Sequence, residues 1–354
     1  MGYGSARKGG VEAACLSTRG STRDYRCRMP ELASSFVPAW WLPGPHLPTI
    51  WGKMVRRRPP VHDRLERLAT PDGDHLTLVR MGRVTPGVPH LLILHGLEGK
   101  VTAKYAHGML EEARRLGWSG DMMMFRGCDG ELNSARRFYH SGETSDIDFV
   151  VRWLAAEHPD IRLNIAGVSL GGNVLLKWLG EQNGNAPVRL ERVAAVSAPY
   201  DLAAGARHLE RGFSRVYVRH FLDSLKAKAI AKLEKYPDLC DRDRLLRART
   251  FWEFDDALTG PLHGFTGADE YYSKSSSIGY LDRIRTPTLL LNAWDDPFLP
   301  TSVLERVGAI ARGNPSLFLE FSAAGGHVGW VEGPPWAQRY YMEARVVHWL
   351  ATGS

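Results

Sequence analysis

The segment around Ser169 has the residue types and spacing of a nucleophile held at a sharp turn. It reads Gly167-Val168-Ser169-Leu170-Gly171, which is G-x-S-x-G, after an apolar run typical of a strand and before a helical run. Small residues beside the serine let the backbone turn sharply and present the hydroxyl at the strand end, while the helix N-terminus supplies positive potential. The pattern predicts a serine nucleophile. The alternative is a glycine-rich turn with a capping serine.

A serine nucleophile needs an imidazole base and an acid that orients the base. His327 lies in the glycine loop GGHVG, after the apolar run Leu317–Phe321. The acidic pair Asp295 and Asp296 follows the run Thr288–Leu291, so the order along the chain is serine, acid, histidine. Two adjacent aspartates cannot both face one imidazole, and sequence alone does not choose between them. We prefer Asp296, which directly precedes a proline, and expect Asp295 to shape the turn.

Acyl transfer also requires donors for the oxyanion that forms during attack. The sequence HGLEG directly follows the strand-like run Leu91–Leu94, and the backbone N–H groups of Leu97 and Leu170 are the expected donors. The alternative is a tight strand exit. We expect His95, the first residue of HGLEG, to be structural in either case. Chemistry of this kind requires no metal ion and no organic cofactor.

From residue 75 onward, strand-like apolar runs alternate with helix-like periodic runs. This alternation predicts an α/β fold with a mostly parallel, twisted sheet and helices on both faces. The predicted strands are Leu76–Met81, Leu91–Leu94, Met122–Phe125, Leu163–Ala166, Val193–Val196, Thr288–Leu291 and Leu317–Phe321. The predicted helices are Ala103–Leu116, Asp146–Glu157, Leu170–Gln182, Ser302–Ala311 and Trp336–Leu350.

The alternation is interrupted over residues 201–282, which are mostly helical in pattern and rich in basic and aromatic residues. Insertions in sheet enzymes commonly cover the carboxyl ends of the strands, so we interpret this segment as a helical cap or lid. Residues 29–200 and 283–354 then form the core. Residues 1–28 are rich in Gly, Ser and Arg and are interpreted as a disordered or mis-called N-terminal extension, or as an organelle transit peptide.

The net charge of +6 is concentrated near the N-terminus. Residues 1–68 carry twelve Lys or Arg and five Asp or Glu, so the rest of the chain is almost neutral. This placement argues against a nucleic-acid partner, which would require a basic stripe on a folded face. No apolar run exceeds four residues, which excludes a transmembrane helix.

The cysteines are too few and too widely spaced for a zinc site or a disulfide framework. Such usage fits a reducing compartment, and we expect a cytoplasmic protein. The four cysteines are Cys15, Cys27, Cys128 and Cys240.

Six motifs in one order resemble the YheT-like, or AB-hydrolase-4, branch of the α/β-hydrolases, which includes ABHD-type proteins of mammals. They are HGLEG, FRGCDGELN, YHSGET, GVSLGGN, NAWDDPF and GGHVGWVEG, and the similarity covers residues 32–350. The sequence HLPTI resembles the family's H-L-Q-T-I, with Pro48 in place of the glutamine. The resemblance implies an α/β-hydrolase fold and a serine carboxylester hydrolase that uses Ser169, Asp296 and His327. The membrane anchor of the mammalian relatives is not carried over.

The expected reaction is hydrolysis of a small-molecule or lipid ester by a short-chain carboxylesterase or a lipase-like enzyme. The alternatives are an acyltransferase or thioesterase with the same triad, or a non-catalytic binding protein on the same scaffold. Basic residues at four-residue spacing in the cap either contact an anionic lipid surface peripherally or form a solvated face. They are Arg207, Arg211, Arg215 and Arg219.

The FRGC and YHSG motifs have no evident part in bond breaking, and we expect structural roles for them. Arg126 is expected to pair with Glu131 or Asp129 at the sheet edge. His140 is expected to be a buried hydrogen-bonding residue.

Overall fold

Eight strands form the central sheet of the computed structural model, which describes residue 1, residues 31–56 and residues 61–354. They are β1 (Arg64–Ala69), β2 (His75–Met81), β3 (Pro89–Leu94), β4 (Ser119–Met124), β5 (Arg162–Val168), β6 (Leu190–Val196), β7 (Thr288–Ala293) and β8 (Leu317–Ser322). Their order across the sheet is β1-β2-β4-β3-β5-β6-β7-β8. Strands β3 to β8 pair in parallel, and β1 and β2 extend one edge antiparallel. The extension predicted at residues 1–28 lies, apart from Met1, outside the described residues.

The parallel strands are buried along their length because helices cover the sheet. Every residue of β4 and β7 is buried, as an apolar strand covered on both faces requires. The helices are α1 (His46–Met54), α2 (Lys104–Arg115), α3 (Ser145–Glu157), α4 (Leu170–Gln182), α5 (Leu202–Leu209), α6 (Arg215–Lys235), α7 (Arg242–Arg247), α8 (Phe251–Phe254), α9 (Gly260–Leu262), α10 (Ala268–Ser275), α11 (Thr301–Ala311) and α12 (Tyr341–Thr352). The predicted α/β fold with a mostly parallel sheet is confirmed.

Two features at the ends of the sheet differ from the sequence expectation. The final helix begins at Tyr341 rather than Trp336, because residues 339–340 form a short strand β10 (Arg339–Tyr340) against β9 (Val331–Glu332). Strand β1 was not predicted, because its sequence RLERLA mixes charged and apolar residues and contains no apolar run. Most of its side chains are exposed. No helix in the part of the chain that the structure describes is long and apolar enough to cross a membrane.

Helices α5 to α10 lie between β6 and β7 in the chain, with 3₁₀ turns at Gly212–Ser214 and Ser277–Arg283. A π-helical turn, Asp255–Thr259, joins α8 to α9. These helices contain their own cluster of buried apolar side chains, which includes Leu222 on α6 and Leu245 on α7. The segment is helical as predicted, and its division from the core at residues 201 and 282 stays a prediction.

Arg126 joins three separate parts of the fold. Its buried guanidinium donates to Asp146, the second residue of α3, at 2.8 Å and to Asp74, before β2, at 3.0 Å. The predicted pairing with Glu131 or Asp129 is wrong. Glu131 pairs with Arg67 at 2.6 Å, and Asp129 accepts a hydrogen bond from a threonine of β2. Arg126 is buried, and two of its three carboxylate partners, Asp74 and Asp146, are buried with it, which compensates a desolvated guanidinium.

Replacement of Arg126 by methionine is expected to lower the free energy of unfolding by about 3–5 kcal/mol, because the buried carboxylates of Asp74 and Asp146 lose a buried cation and Asp146 keeps only Arg137, at 2.8 Å. The control is Arg152→Met, which removes an exposed pair with Asp148 on α3 and is expected to cost less than about 1 kcal/mol. Urea denaturation of both variants measures the difference. Equal losses of stability in the two variants would contradict the structural role of Arg126.

Candidate active site

Ser169 occupies the sharp turn between β5 and α4. Its backbone has φ of +54° and ψ of −121°, a conformation that L-residues rarely adopt and that is typical of functional turns. The turn is anchored by a hydrogen bond from Ser169 N–H to the carbonyl of Val196 at 2.8 Å. A Cβ on Gly167 would lie 2.5 Å from the carbonyl oxygen of Gly171. The first glycine of G-x-S-x-G is therefore required, because the backbone at Gly171 passes too close to Gly167 to leave room for a side chain.

Replacement of Gly171 by alanine is expected to destabilise the fold by about 1–3 kcal/mol or more. The added Cβ would lie 2.5 Å from the carbonyl oxygens of both Leu94 and His95, which are backbone atoms that cannot move alone. The control is Gly52→Ala in α1, where nothing lies within 4 Å of the new Cβ. Thermal unfolding of the two variants provides the measurement, and a Gly171→Ala protein as stable as the control would refute the steric argument.

The side chains of Ser169, His327 and Asp296 form one hydrogen-bonded series. The Nε2 atom of His327 lies 3.0 Å from Ser169 Oγ, and its Nδ1 atom lies 2.8 Å from Asp296 Oδ2. The imidazole stacks on Phe298, with ring centroids 3.9 Å apart and an interplanar angle of 3°. The backbone N–H of His327 donates to Thr49 Oγ1 of α1 at 2.8 Å. The histidine is thus fixed from both its ring and its backbone.

The two adjacent aspartates have different partners. Asp296 is 4% exposed, and its Oδ1 also accepts the backbone N–H of Phe298 at 2.8 Å. Asp295 instead accepts the backbone N–H of Gly326 at 2.8 Å, and burial raises the pKa of its carboxyl. The structure therefore brings Asp296 to the imidazole and uses Asp295 to hold the loop that carries the histidine.

The two expected oxyanion donors lie beside the nucleophile. A Cβ on Gly96 would lie 3.2 Å from the Cβ of Ser169, so the loop containing Leu97 passes directly against the serine. Leu97, Ser169 and Leu170 all line the same cavity. No acceptor for the N–H of Leu97 or Leu170 is found among residues 31–56 and 61–354. Both N–H groups meet the requirement of an oxyanion hole for unoccupied donors.

His95 is fully buried behind this loop. Its Nδ1 lies 2.7 Å from the carbonyl oxygen of Gly96, and its Nε2 accepts the backbone N–H of Phe125 at 3.1 Å. Burial lowers the pKa of His95 to about 4, so the ring is neutral at neutral pH. The contacts agree with the structural role expected for this histidine.

A cavity with an empty volume of about 1190 Å³, including its opening to solvent, contains Ser169. Its walls come from the strand ends and from the helices between β6 and β7. The apolar side chains contributed by those helices include Leu209, Phe221, Leu225, Phe251, Phe254 and Leu258.

Two contributions to the cavity were not predicted from the sequence. Tyr139, His140 and Ser141 of the YHSG motif line it, and His140 is buried as expected. Glu98, which follows the predicted donor Leu97, also lines it and pairs with Lys228 of α6 at 2.7 Å. The position of YHSG after a central strand was the available signal for the first contribution. The pairing of Glu98 joins residues 130 positions apart, so the local sequence held no signal for it.

Comparison with known proteins agrees with the fold. The chain matches the α/β-hydrolase fold family over residues 89–334. It is 37% identical to the Escherichia coli protein YheT, which is named as an esterase, over 90% of this chain and 94% of that protein. It is 28% identical to phospholipase ABHD3 of Mus musculus, over 89% of this chain and 77% of that protein.

Two further proteins are similar to this chain. A monoacylglycerol lipase of Saccharomyces cerevisiae is 31% identical over 72% of this chain and 57% of that protein. Among solved structures, esterase PF2001 of Pyrococcus furiosus superposes with a TM-score of 0.55 at 16% identity, over 84% of this chain and 95% of that chain, which supports the fold alone. The resemblance found in the sequence motifs is confirmed, and the chain belongs to the YheT-like family of α/β-hydrolases.

Proposed function

We propose that this chain hydrolyses carboxylic esters through an acyl-enzyme formed on Ser169. The observation that carries the proposal is the series Ser169 Oγ, His327 and Asp296, joined at 3.0 and 2.8 Å beside a cavity that is mostly apolar. Relatives named as an esterase, a phospholipase and a monoacylglycerol lipase support the same class of reaction. The enzyme is a carboxylic ester hydrolase of the serine type.

The reaction has two steps. His327 Nε2 takes the hydroxyl proton as Ser169 Oγ attacks the ester carbonyl, and the N–H groups of Leu97 and Leu170 stabilise the oxyanion. The imidazolium then returns that proton to the leaving alcohol. In the second step His327 takes a proton from water, the hydroxide attacks the acyl-enzyme, and Ser169 is released with its proton. Asp296 holds the imidazole in the required tautomer and stabilises its charged form.

The substrate is a small-molecule or lipid ester with an apolar acyl group. The segment 201–282 acts as a cap, because its aromatic and aliphatic side chains form much of the cavity wall around Ser169. We propose that residues 29–200 and 283–354 form the core that this cap covers. We also propose that the protein is located in the cytoplasm. Catalysis needs no cofactor, since nucleophile, base and donors are all supplied by the chain.

Hydrolysis of p-nitrophenyl esters from acetate to palmitate tests the function. The rate is expected to peak at one acyl length, which measures the space available to the acyl chain. A protein that cleaves none of these esters, yet releases CoA from acyl-CoA or transfers the acyl group to an added alcohol, is a thioesterase or acyltransferase. Failure of a serine-reactive fluorophosphonate to label the protein would instead indicate a binding protein.

A further inference from the structure

Asp255 places a carboxylate in the wall of the cavity that contains Ser169. It is the first residue of the π-helical turn Asp255–Thr259, a kind of turn that occurs frequently at functional sites. Its Oδ2 accepts a hydrogen bond from the hydroxyl of Tyr272 at 2.7 Å, and the hydroxyl of Thr259 also hydrogen-bonds to the carboxylate. These two neutral donors leave part of the acceptor capacity of a carboxylate unused.

Asp255 differs from the other two carboxylates that line this cavity. Glu98 pairs with Lys228 at 2.7 Å, and Asp296 lies 2.8 Å from His327. In the described part of the chain, Asp255 forms no ion pair with a lysine, arginine or histidine. Asp255 is therefore the carboxylate in the cavity wall that no basic side chain of the described residues pairs with.

The charged and titratable groups around Asp255 do not neutralise it. His140 and His263 also line the cavity. Burial lowers the pKa of both histidines, so neither supplies a positive charge at neutral pH. Arg207 on α5 lies over the ring of Trp252, 4.8 Å from the ring centroid. Arg244 on α7 pairs with Asp256. The other titratable groups on the helices packed against α8 and this turn include Tyr271 on α10 and Glu210 at the end of α5, and neither carries a positive charge.

An ionised carboxylate without a counter-ion is costly in an apolar cavity. Burial raises the pKa of Asp255 to about 6, so above that pH the cavity wall holds a half-buried negative charge that a bound molecule can reach. A cationic group would compensate this charge. The aromatic residues Phe251, Tyr271 and Tyr272 also line the cavity, and aromatic rings attract a cation that lies over them.

We propose that Asp255 recognises an ammonium group of the substrate, so that the preferred substrates are esters that carry a cationic amine. The inference rests on the proposed function, since the same cavity must bind the ester that Ser169 cleaves. In this proposal Asp255 determines which substrates bind and takes no part in bond breaking.

Pairs of esters that differ only in charge test the proposal. On the acyl side, p-nitrophenyl 6-(trimethylammonio)hexanoate is compared with p-nitrophenyl 7,7-dimethyloctanoate. On the alcohol side, butyrylcholine is compared with 3,3-dimethylbutyl butanoate. The measured quantity is the ratio of kcat/KM for the cationic ester to kcat/KM for its neutral partner. Any effect of pH that is common to both esters cancels in this ratio.

The ratio is expected to reach about tenfold or more at pH 8 for one of the pairs. It should fall toward one at pH 5, with a midpoint near the Asp255 pKa of about 6, because the quaternary ammonium does not titrate. Asp255→Asn should lower the ratio at pH 8 by about tenfold. Asp269→Asn, which removes an exposed charge from α10, should leave it unchanged. Ratios of one or less for both pairs, or ratios insensitive to Asp255→Asn, would overturn the proposal.

A binding measurement separates this inference from the proposed function. In the Ser169→Ala protein at pH 8, hexyltrimethylammonium is expected to raise the unfolding temperature, and 1-hexanol at the same concentration is not. Adding Asp255→Asn should abolish that shift. Cleavage of neutral esters without an Asp255-dependent shift would leave the esterase standing and refute the amine site. An Asp255-dependent shift in a protein that cleaves no ester would refute the esterase alone.

Discussion

Replacement of Ser169 by alanine is expected to lower kcat for ester hydrolysis by about 10⁵-fold or more. The acyl-enzyme can no longer form, so only the oxyanion donors and the binding of substrate remain to accelerate attack by water. The rate is measured with the p-nitrophenyl ester that the wild type cleaves fastest. Labelling by a fluorophosphonate should disappear in the same variant, because the probe reacts with the nucleophile itself.

The control for this variant is Ser302→Ala. Ser302 is an exposed residue in the first turn of α11, and its replacement should leave both rate and labelling as in the wild type. A Ser169→Ala protein that folds with the wild-type unfolding temperature and keeps its rate would show that the ester is cleaved elsewhere. Loss of the rate with retention of labelling would point to a different reactive serine.

Replacement of Asp296 by asparagine is expected to lower kcat by about 10⁴-fold. An amide in place of the carboxylate cannot stabilise the imidazolium of His327, and it favours the wrong tautomer by offering an N–H to Nδ1. The contact at stake is the one between Asp296 Oδ2 and His327 Nδ1 at 2.8 Å. Single-turnover measurements at pH 8 separate this loss from any change in substrate binding.

Asp295→Asn is the matched control, since it makes the same chemical change one residue earlier. An asparagine oxygen can still accept the N–H of Gly326, which Asp295 accepts at 2.8 Å, so the loop carrying His327 keeps its anchor. We expect kcat to fall by less than about tenfold. The reverse ranking of the two variants would make Asp295 the catalytic acid.

The strands and the turn around Ser169 were predictable because their signals are local. An apolar run such as Leu91–Leu94 indicates a buried strand wherever it lies in the chain, and it coincides with most of β3. The spacing of Gly167, Ser169 and Gly171 indicates a sharp turn, and for Gly167 the steric reason is local, because a Cβ there would meet Gly171, whereas at Gly171 it would meet Leu94 and His95 of the neighbouring strand end. The start of α12 was misjudged because the pairing of residues 339–340 with residues 331–332 competes with the helical pattern.

The amino-acid sequence by itself determined the order of strands β2 to β8 and of the helices that alternate with them, the serine at the turn and the histidine in the last glycine loop. Tertiary structure alone decided which aspartate faces His327, which carboxylates hold Arg126, and which side chains surround Ser169. The physical reason is distance along the chain. Ser169 and His327 are 158 positions apart, and Arg126 and Asp74 are 52 apart. Partners at such separations are selected by how the sheet and helices pack, and local propensity carries no information about that packing.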